Sequence, residues 1–168
     1  MSEKPRVGMV MGSDSDFPKI QSALKVLTDF GVPFEVHVMS AHRTPHRVEE
    51  FAKNARANGL QVLIAAAGGA AHLAGVVASH TTLPVIGIPV ATEMMGGLDS
   101  LLSTVQMPGD IPVATVGTGS GGAKNAGILA VEILAVTDEE LQQKLADFRR
   151  KLVEKMIEKD QALQEKIG

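Results

Sequence analysis

The chain of 168 residues carries 16 Lys and Arg against 19 Asp and Glu, a formal charge of −3, so it offers no global attraction for nucleic acid or an anionic membrane surface. It contains no Cys, Trp or Tyr, which removes disulfides, thiolate nucleophiles, cysteine metal sites, phenolic acids and most stacking platforms for flavins or bases. Its length suits one domain, 1–168, and a hydrophobic content of 45% is high for a lone unit of that size, which points to apolar surface meeting another subunit.

The first predicted element is a strand from Arg6 to Met11, an apolar run too short for a signal-peptide core or a membrane span, so a cytoplasmic protein is expected. Further strands are read at Phe34–Met39, Leu60–Ala66, Pro84–Pro89 and Pro112–Val116. Between them Phe17, Ile20, Leu24 and Leu27, then Val48, Phe51, Ala52 and Ala55, recur at helical spacing and give each connection one apolar stripe. Strands that are apolar almost throughout, joined by helices, predict an α/β fold: a parallel sheet covered on both faces in three layers. Ligands of such sheets sit at the carboxyl ends of the strands. That directs attention to the loops at 12–16, 40–45, 67–72, 89–97 and 117–123.

The core is read over 6–136. From Thr137 the chain becomes a charged helix, expected over 138–165, with Thr137 and Glu140 spaced as a capping box. Its stripe of Leu141, Leu145, Phe148, Leu152 and Met156 outruns what a five-stranded sheet can cover. Packing against a neighbouring subunit is the expectation, a solvated surface helix the alternative.

The polar residues of the loops supply the chemistry. Gly12-Ser13-Asp14-Ser15-Asp16 gathers amides and hydroxyls at a helix start, fit for a phosphate or sugar hydroxyls, or simply a turn in which Asp16 caps the helix. In Ser40-Ala41-His42-Arg43-Thr44-Pro45, Thr44 is placed to cap the next helix and Pro45 to open it, leaving His42 and Arg43 at the sheet's edge. Arginine presents a fixed fork of donors to a phosphate, and an imidazole gives and takes protons near neutrality. In Ala67-Gly68-Gly69-Ala70-Ala71-His72 the glycines permit close backbone approach, and free amides there suit a carboxylate. His72 reads equally as a second base or as a satisfied buried histidine.

The run Gly117-Thr118-Gly119-Ser120-Gly121-Gly122 matches the dinucleotide fingerprint in letters, with Asp138 about twenty residues on. Its acidic residue should end a following strand, yet Asp138 falls in the helix start, so the run reads instead as a lid or subunit contact with Lys124 and Asn125 opening its helix. No metal-ligand set, nucleophile elbow or Walker loop occurs.

The loop motifs Gly-Ser-x-Ser-Asp, Ser-Ala-His-Arg-Thr-Pro and Gly-Gly-Ala-Ala-His-Leu, followed by Gly97-Leu98-Asp99-Ser100-Leu101-Leu102-Ser103 and Val105-Gln106-Met107-Pro108, resemble the bacterial N5-carboxyaminoimidazole ribonucleotide mutases from about residue 6 to 136. The resemblance implies a flavodoxin-like fold, an aminoimidazole ribonucleotide substrate, a homo-octamer and no metal or organic cofactor. It implies His42 as the catalytic acid and base. Ser13, Ser15 and Asp16 would then meet the ribonucleotide, Ser40 and Arg43 its phosphate, and Ala67, Gly68 and Gly69 the transferred carboxylate, with His72 beside them. Ala66, Ala74 and Asp110 depart from the pattern, which commonly has glycine, proline and glycine there. Two rivals remain: a carboxylase of the same type using free carbon dioxide, which typically lacks the Ala-Ala-His-Leu run, and a non-catalytic nucleotide or flavin carrier on the same architecture.

Overall fold

A computed structural model describes residues 4–168. Its sheet has five strands, β1 (Val7–Met11), β2 (Phe34–Val38), β3 (Val62–Ala67), β4 (Val85–Pro89) and β5 (Ala114–Thr115), in the order β2-β1-β3-β4-β5. All four pairings are parallel. The helices are α1 (Phe17–Phe30), α2 (Pro45–Asn54), α3 (Leu73–Ser79), α4 (Leu98–Val105), α5 (Gly119–Ala135) and α6 (Glu139–Ile167). This is the flavodoxin-like three-layer arrangement.

Strand side chains alternate between two cores. Val7, Met9, Met11, Ile64 and Ile86 face α1 and α5, while Val10, Leu63, Ala65 and Val85 face α2 and α3. Because both faces are covered, β1, β3 and β4 are buried at nearly every position, and that is why they read as continuous apolar runs. The edge strand β5 is shorter than the run from Pro112 suggested. Proline lacks the N–H a ladder needs, and β5 meets β4 only through Ile86↔Ala114 and Gly87↔Thr115.

Two helix starts differ from the sequence reading. The glycine run is itself the first turn of α5, which begins at Gly119 rather than at Lys124. A Cβ at Gly122 would lie 1.5 Å from the Gly117 carbonyl oxygen, so Gly122 serves a close turn and not a pyrophosphate; among the described residues no strand follows this unit. At α6 the cap is Asp138, whose carboxylate accepts from the Leu141 N–H at 3.1 Å, and not Thr137. Two of the departures from the motif pattern fit their places: Asp110 has φ 72°, the left-handed region that glycine favours, and Ala74 sits in the first turn of α3 where proline is tolerated.

Asp138 also accepts from Arg6 Nη1 at 2.7 Å, tying α6 to the chain entering β1. The Arg6 hydrogen bond, then the Leu141 amide, hold its carboxyl below the usual range. A depressed carboxyl contributes stability that is full above its unfolded-state value and lost as pH falls through the folded one. Asp138→Asn, which keeps the cap, is therefore expected to lower Tm at pH 7 and to lower it less at acid pH, below the ordinary Asp value of about 3.9. Thermal melts across that interval check this; an equal loss at both pH values contradicts it.

The first turns of α6 pack on the core, with Leu141 buried and Phe148 edge-on to Phe30 at 5.7 Å between ring centroids. From Lys151 onward every residue is exposed, including Leu152, Val153, Met156, Ile157 and Leu163.

Candidate active site

A cavity of about 600 Å³ opens at the carboxyl ends of β2, β1, β3 and β4. It spans the point where chain order reverses between β1 and β3, the usual ligand crevice of such sheets.

From the β1–α1 connection, Ser13 and Asp16 line the cavity. Ser13 opens a 3-10 turn over Asp14–Asp16, and its hydroxyl accepts from the Ser15 N–H at 3.3 Å. Ser15 does not line the cavity. Its hydroxyl is engaged with that of Ser13 at 2.8 Å, so it braces the lining residue. Burial pushes the Asp16 carboxyl up, against the opposing charge of Lys19. Its side chain makes no cap bond to α1.

From the β2–α2 connection come Ser40, His42 and Arg43. The Ser40 hydroxyl oxygen accepts from the backbone N–H of His42 at 3.3 Å and of Arg43 at 3.1 Å, leaving its own proton free to donate. Thr44 does not cap α2 with its side chain. Instead its hydroxyl accepts from the Ser40 N–H at 2.9 Å and closes the turn from the other side. Arg43 Nη2 donates to the Gly12 carbonyl at 2.8 Å, which aims the guanidinium across the end of β1. Both His42 and Arg43 are exposed to the open cavity.

The β3–α3 turn brings Ala67, Gly68 and Gly69 to the same wall. The sequence suggested free amides here, but not all of them are available. Gly69 N–H donates to Ser100 Oγ at 2.9 Å, and those of Ala71 and His72 bond back to Gly69 and Ala70 carbonyls. Among the described residues, Gly68 and Ala70 N–H have no partner.

His72 stands behind His42 rather than on the cavity wall and is exposed, not a buried histidine. A 2.9 Å hydrogen bond joins His42 Nε2 to His72 Nδ1, with the rings edge to face at 5.0 Å. One of these nitrogens carries the shared proton, so His42 keeps Nδ1 for other partners. Among the described residues no group of three His, Asp or Glu side chains is gathered as a metal would need.

Two further residues of the wall, Lys19 and Thr92, do not stand out in the sequence. Lys19 lines the cavity and donates from Nζ to the Ala91 carbonyl at 3.0 Å. Its place three residues after Asp16, in the first turn of α1, was the available signal. From the β4 end, Thr92 also lines the cavity and donates to Asp99 Oδ1 at 2.7 Å; this bond above all holds the Asp99 carboxyl below its usual range.

The family described as AIR carboxylase matches residues 6–155. The chain is 53% identical over 164 residues to the N5-carboxyaminoimidazole ribonucleotide mutase of Thermotoga maritima, covering 98% of this chain and 94% of the relative. It is 49% identical over 160 residues to the mutase of the same name from Bacillus subtilis, covering 95% and 99%. The crystal structure of Treponema denticola PurE superposes with a TM-score of 0.86 at 29% identity, covering 95% of this chain and 98% of that one.

Proposed function

The chain belongs to the AIR carboxylase family, and from that premise we propose that it is an N5-carboxyaminoimidazole ribonucleotide mutase of purine biosynthesis in which His42 is both acid and base. The substrate is an aminoimidazole ribonucleotide carrying a carbamate on its exocyclic nitrogen. The product carries the same carboxylate on the ring carbon.

Protonated His42 gives its proton to the carbamate nitrogen as the nitrogen–carbon bond breaks, which frees carbon dioxide and aminoimidazole ribonucleotide with an uncharged amine. The ring carbon then attacks the carbon dioxide, forming the new carbon–carbon bond. Neutral His42 removes the proton displaced from that ring carbon and returns to its starting state. One imidazole thus balances the reaction with no net proton consumed.

The observation that carries this reading is the convergence of three turns on one cavity: His42 and Arg43 from β2–α2, Ser13 and Asp16 from β1–α1, and the Gly68 and Ala70 amides from β3–α3. Arg43, with the free Ser40 proton, suits the phosphate; Asp16 and Ser13, the latter braced by Ser15, suit the ribose; the Ala67–Gly69 wall suits the carboxylate. His72 orients His42 from behind. Apolar Ala67, Leu73 and Val90 around the turn suit a neutral gas that water would carry off.

The cavity of the single chain is open, whereas recapture of carbon dioxide needs a closed site. A homo-octamer provides closure and covers the exposed α6 stripe of Leu152, Val153, Met156 and Ile157. The cytoplasm, where nucleotide precursors are built, is its place of work. Among the described residues no helix is long and apolar enough to cross a membrane.

The deciding assay offers purified protein the carbamate and, separately, aminoimidazole ribonucleotide with bicarbonate. Rapid turnover of the carbamate alone is expected. Preference for the unsubstituted nucleotide with bicarbonate would make the enzyme a carboxylase instead.

A further inference from the structure

The β3–α3 turn is held from outside the cavity. Gly69 lies at φ 67°, a left-handed conformation with open space around its Cβ direction, so the backbone conformation rather than crowding calls for glycine. Both polar groups of this residue are bonded to α4: its N–H donates to Ser100 Oγ at 2.9 Å, and its carbonyl accepts from Ser103 Oγ at 3.0 Å. Ser100 is fully buried. Its hydroxyl proton is directed to Asp99 Oδ1 at 3.4 Å, the same oxygen that accepts from Thr92. The single Ser103 hydroxyl proton is shared between the Gly69 carbonyl and the Asp99 carbonyl at 2.6 Å, one turn back in its own helix.

We infer that Ser100 and Ser103 are positioning residues: a two-hydroxyl clamp that fixes the Gly69 peptide so that the adjoining Gly68 and Ala70 amides hold the migrating carboxyl group beside His42. The inference rests on the mutase reading. The clamp engages both polar groups of Gly69, while the two cavity-lining residues on either side, Gly68 and Ala70, keep their N–H groups for a ligand. It also places Thr92, on the cavity wall, in one hydrogen-bonded chain with the turn through Asp99 and Ser100, and such chains hold geometry better than isolated bonds. Neither serine lines the cavity, so neither acts on substrate directly.

Carbon dioxide, once free, has no charge to grip, and the geometry of this turn sets how it lies over the ring carbon. Loosening the turn should therefore let the gas escape before it weakens nucleotide binding. The test follows two products from the carbamate substrate, with the spontaneous breakdown rate subtracted: carboxylated nucleotide, and free aminoimidazole ribonucleotide. Ser100→Ala and Ser103→Ala are each expected to lower kcat roughly tenfold or more while KM stays within about twofold, a selective loss in the reacting geometry. Enzyme-dependent release of aminoimidazole ribonucleotide, absent in the wild type, should appear in both. Ser103→Thr, which keeps the hydroxyl, should restore transfer without leakage.

If Ser100→Ala does not fold, the partly exposed Ser103 decides the matter alone. Wild-type kcat and wild-type partitioning in folded Ser103→Ala overturn the clamp and leave the mutase reading intact. Wild-type protein that does not convert the carbamate overturns both.

Discussion

Replacing His42 by Asn should lower kcat by about 10²- to 10⁴-fold or more, the range for loss of a positioned proton carrier, equivalent to roughly 3–5 kcal/mol of barrier. Asparagine retains a similar shape and a hydrogen-bonding amide but neither binds nor releases a proton near neutrality. Ribonucleotide affinity should accordingly change by only a few-fold, because Arg43, Ser13 and Asp16 remain on the wall. Folding should be unaffected, since His42 is exposed and its only side-chain partner among the described residues is the equally exposed His72. Calorimetric titration with nucleotide and steady-state rates separate the two effects. Retention of full rate by this variant would remove His42 from the chemistry.

Arg43→Ala should act in the opposite sense, raising KM by roughly 10- to 100-fold with kcat reduced much less. Hydrogen bonds to charged groups contribute about 1.5–3 kcal/mol, and a phosphate distant from the reacting atoms is held equally in ground and transition states. Because Arg43 also braces the Gly12 carbonyl, Arg43→Lys is the needed control. It keeps the charge and loses the two-pronged fork, so it should recover part of the affinity only. The rise in KM should be smaller at high salt, where the wild-type enzyme itself binds a phosphate less tightly. An unchanged KM in Arg43→Ala would move the guanidinium out of the ligand site.

What the sequence made legible follows from physical periodicity. Strands covered on both faces appear as unbroken apolar runs, so β1, β3 and β4 and their alternation with helices could be read directly, while the edge strand β5, half-exposed and preceded by Pro112, could not be delimited. The loops that meet at the cavity were recognisable because open parallel sheets bring strand ends together whatever the residues. Three features stayed hidden for a common reason: each depends on a partner far along the chain. The Gly69 amide is taken by a hydroxyl 31 residues away, Lys19 reaches a carbonyl 72 residues on, and Asp138 is drawn to the cap position while bound to Arg6, 132 residues earlier. The glycine run of α5 misled for a local reason, since glycine serves tight backbone contact as readily as phosphate binding.

The most direct measurement is a crystal structure of the His42→Asn enzyme with the carboxylated ribonucleotide bound. The account predicts the phosphate on Arg43 and Ser40 and the carboxylate on the Gly68 and Ala70 amides. The residue 42 side chain should lie within about 3.5 Å of the exocyclic nitrogen or the carboxyl-bearing ring carbon. A nucleotide seated away from these three turns, or residue 42 facing away from its ring, would contradict it.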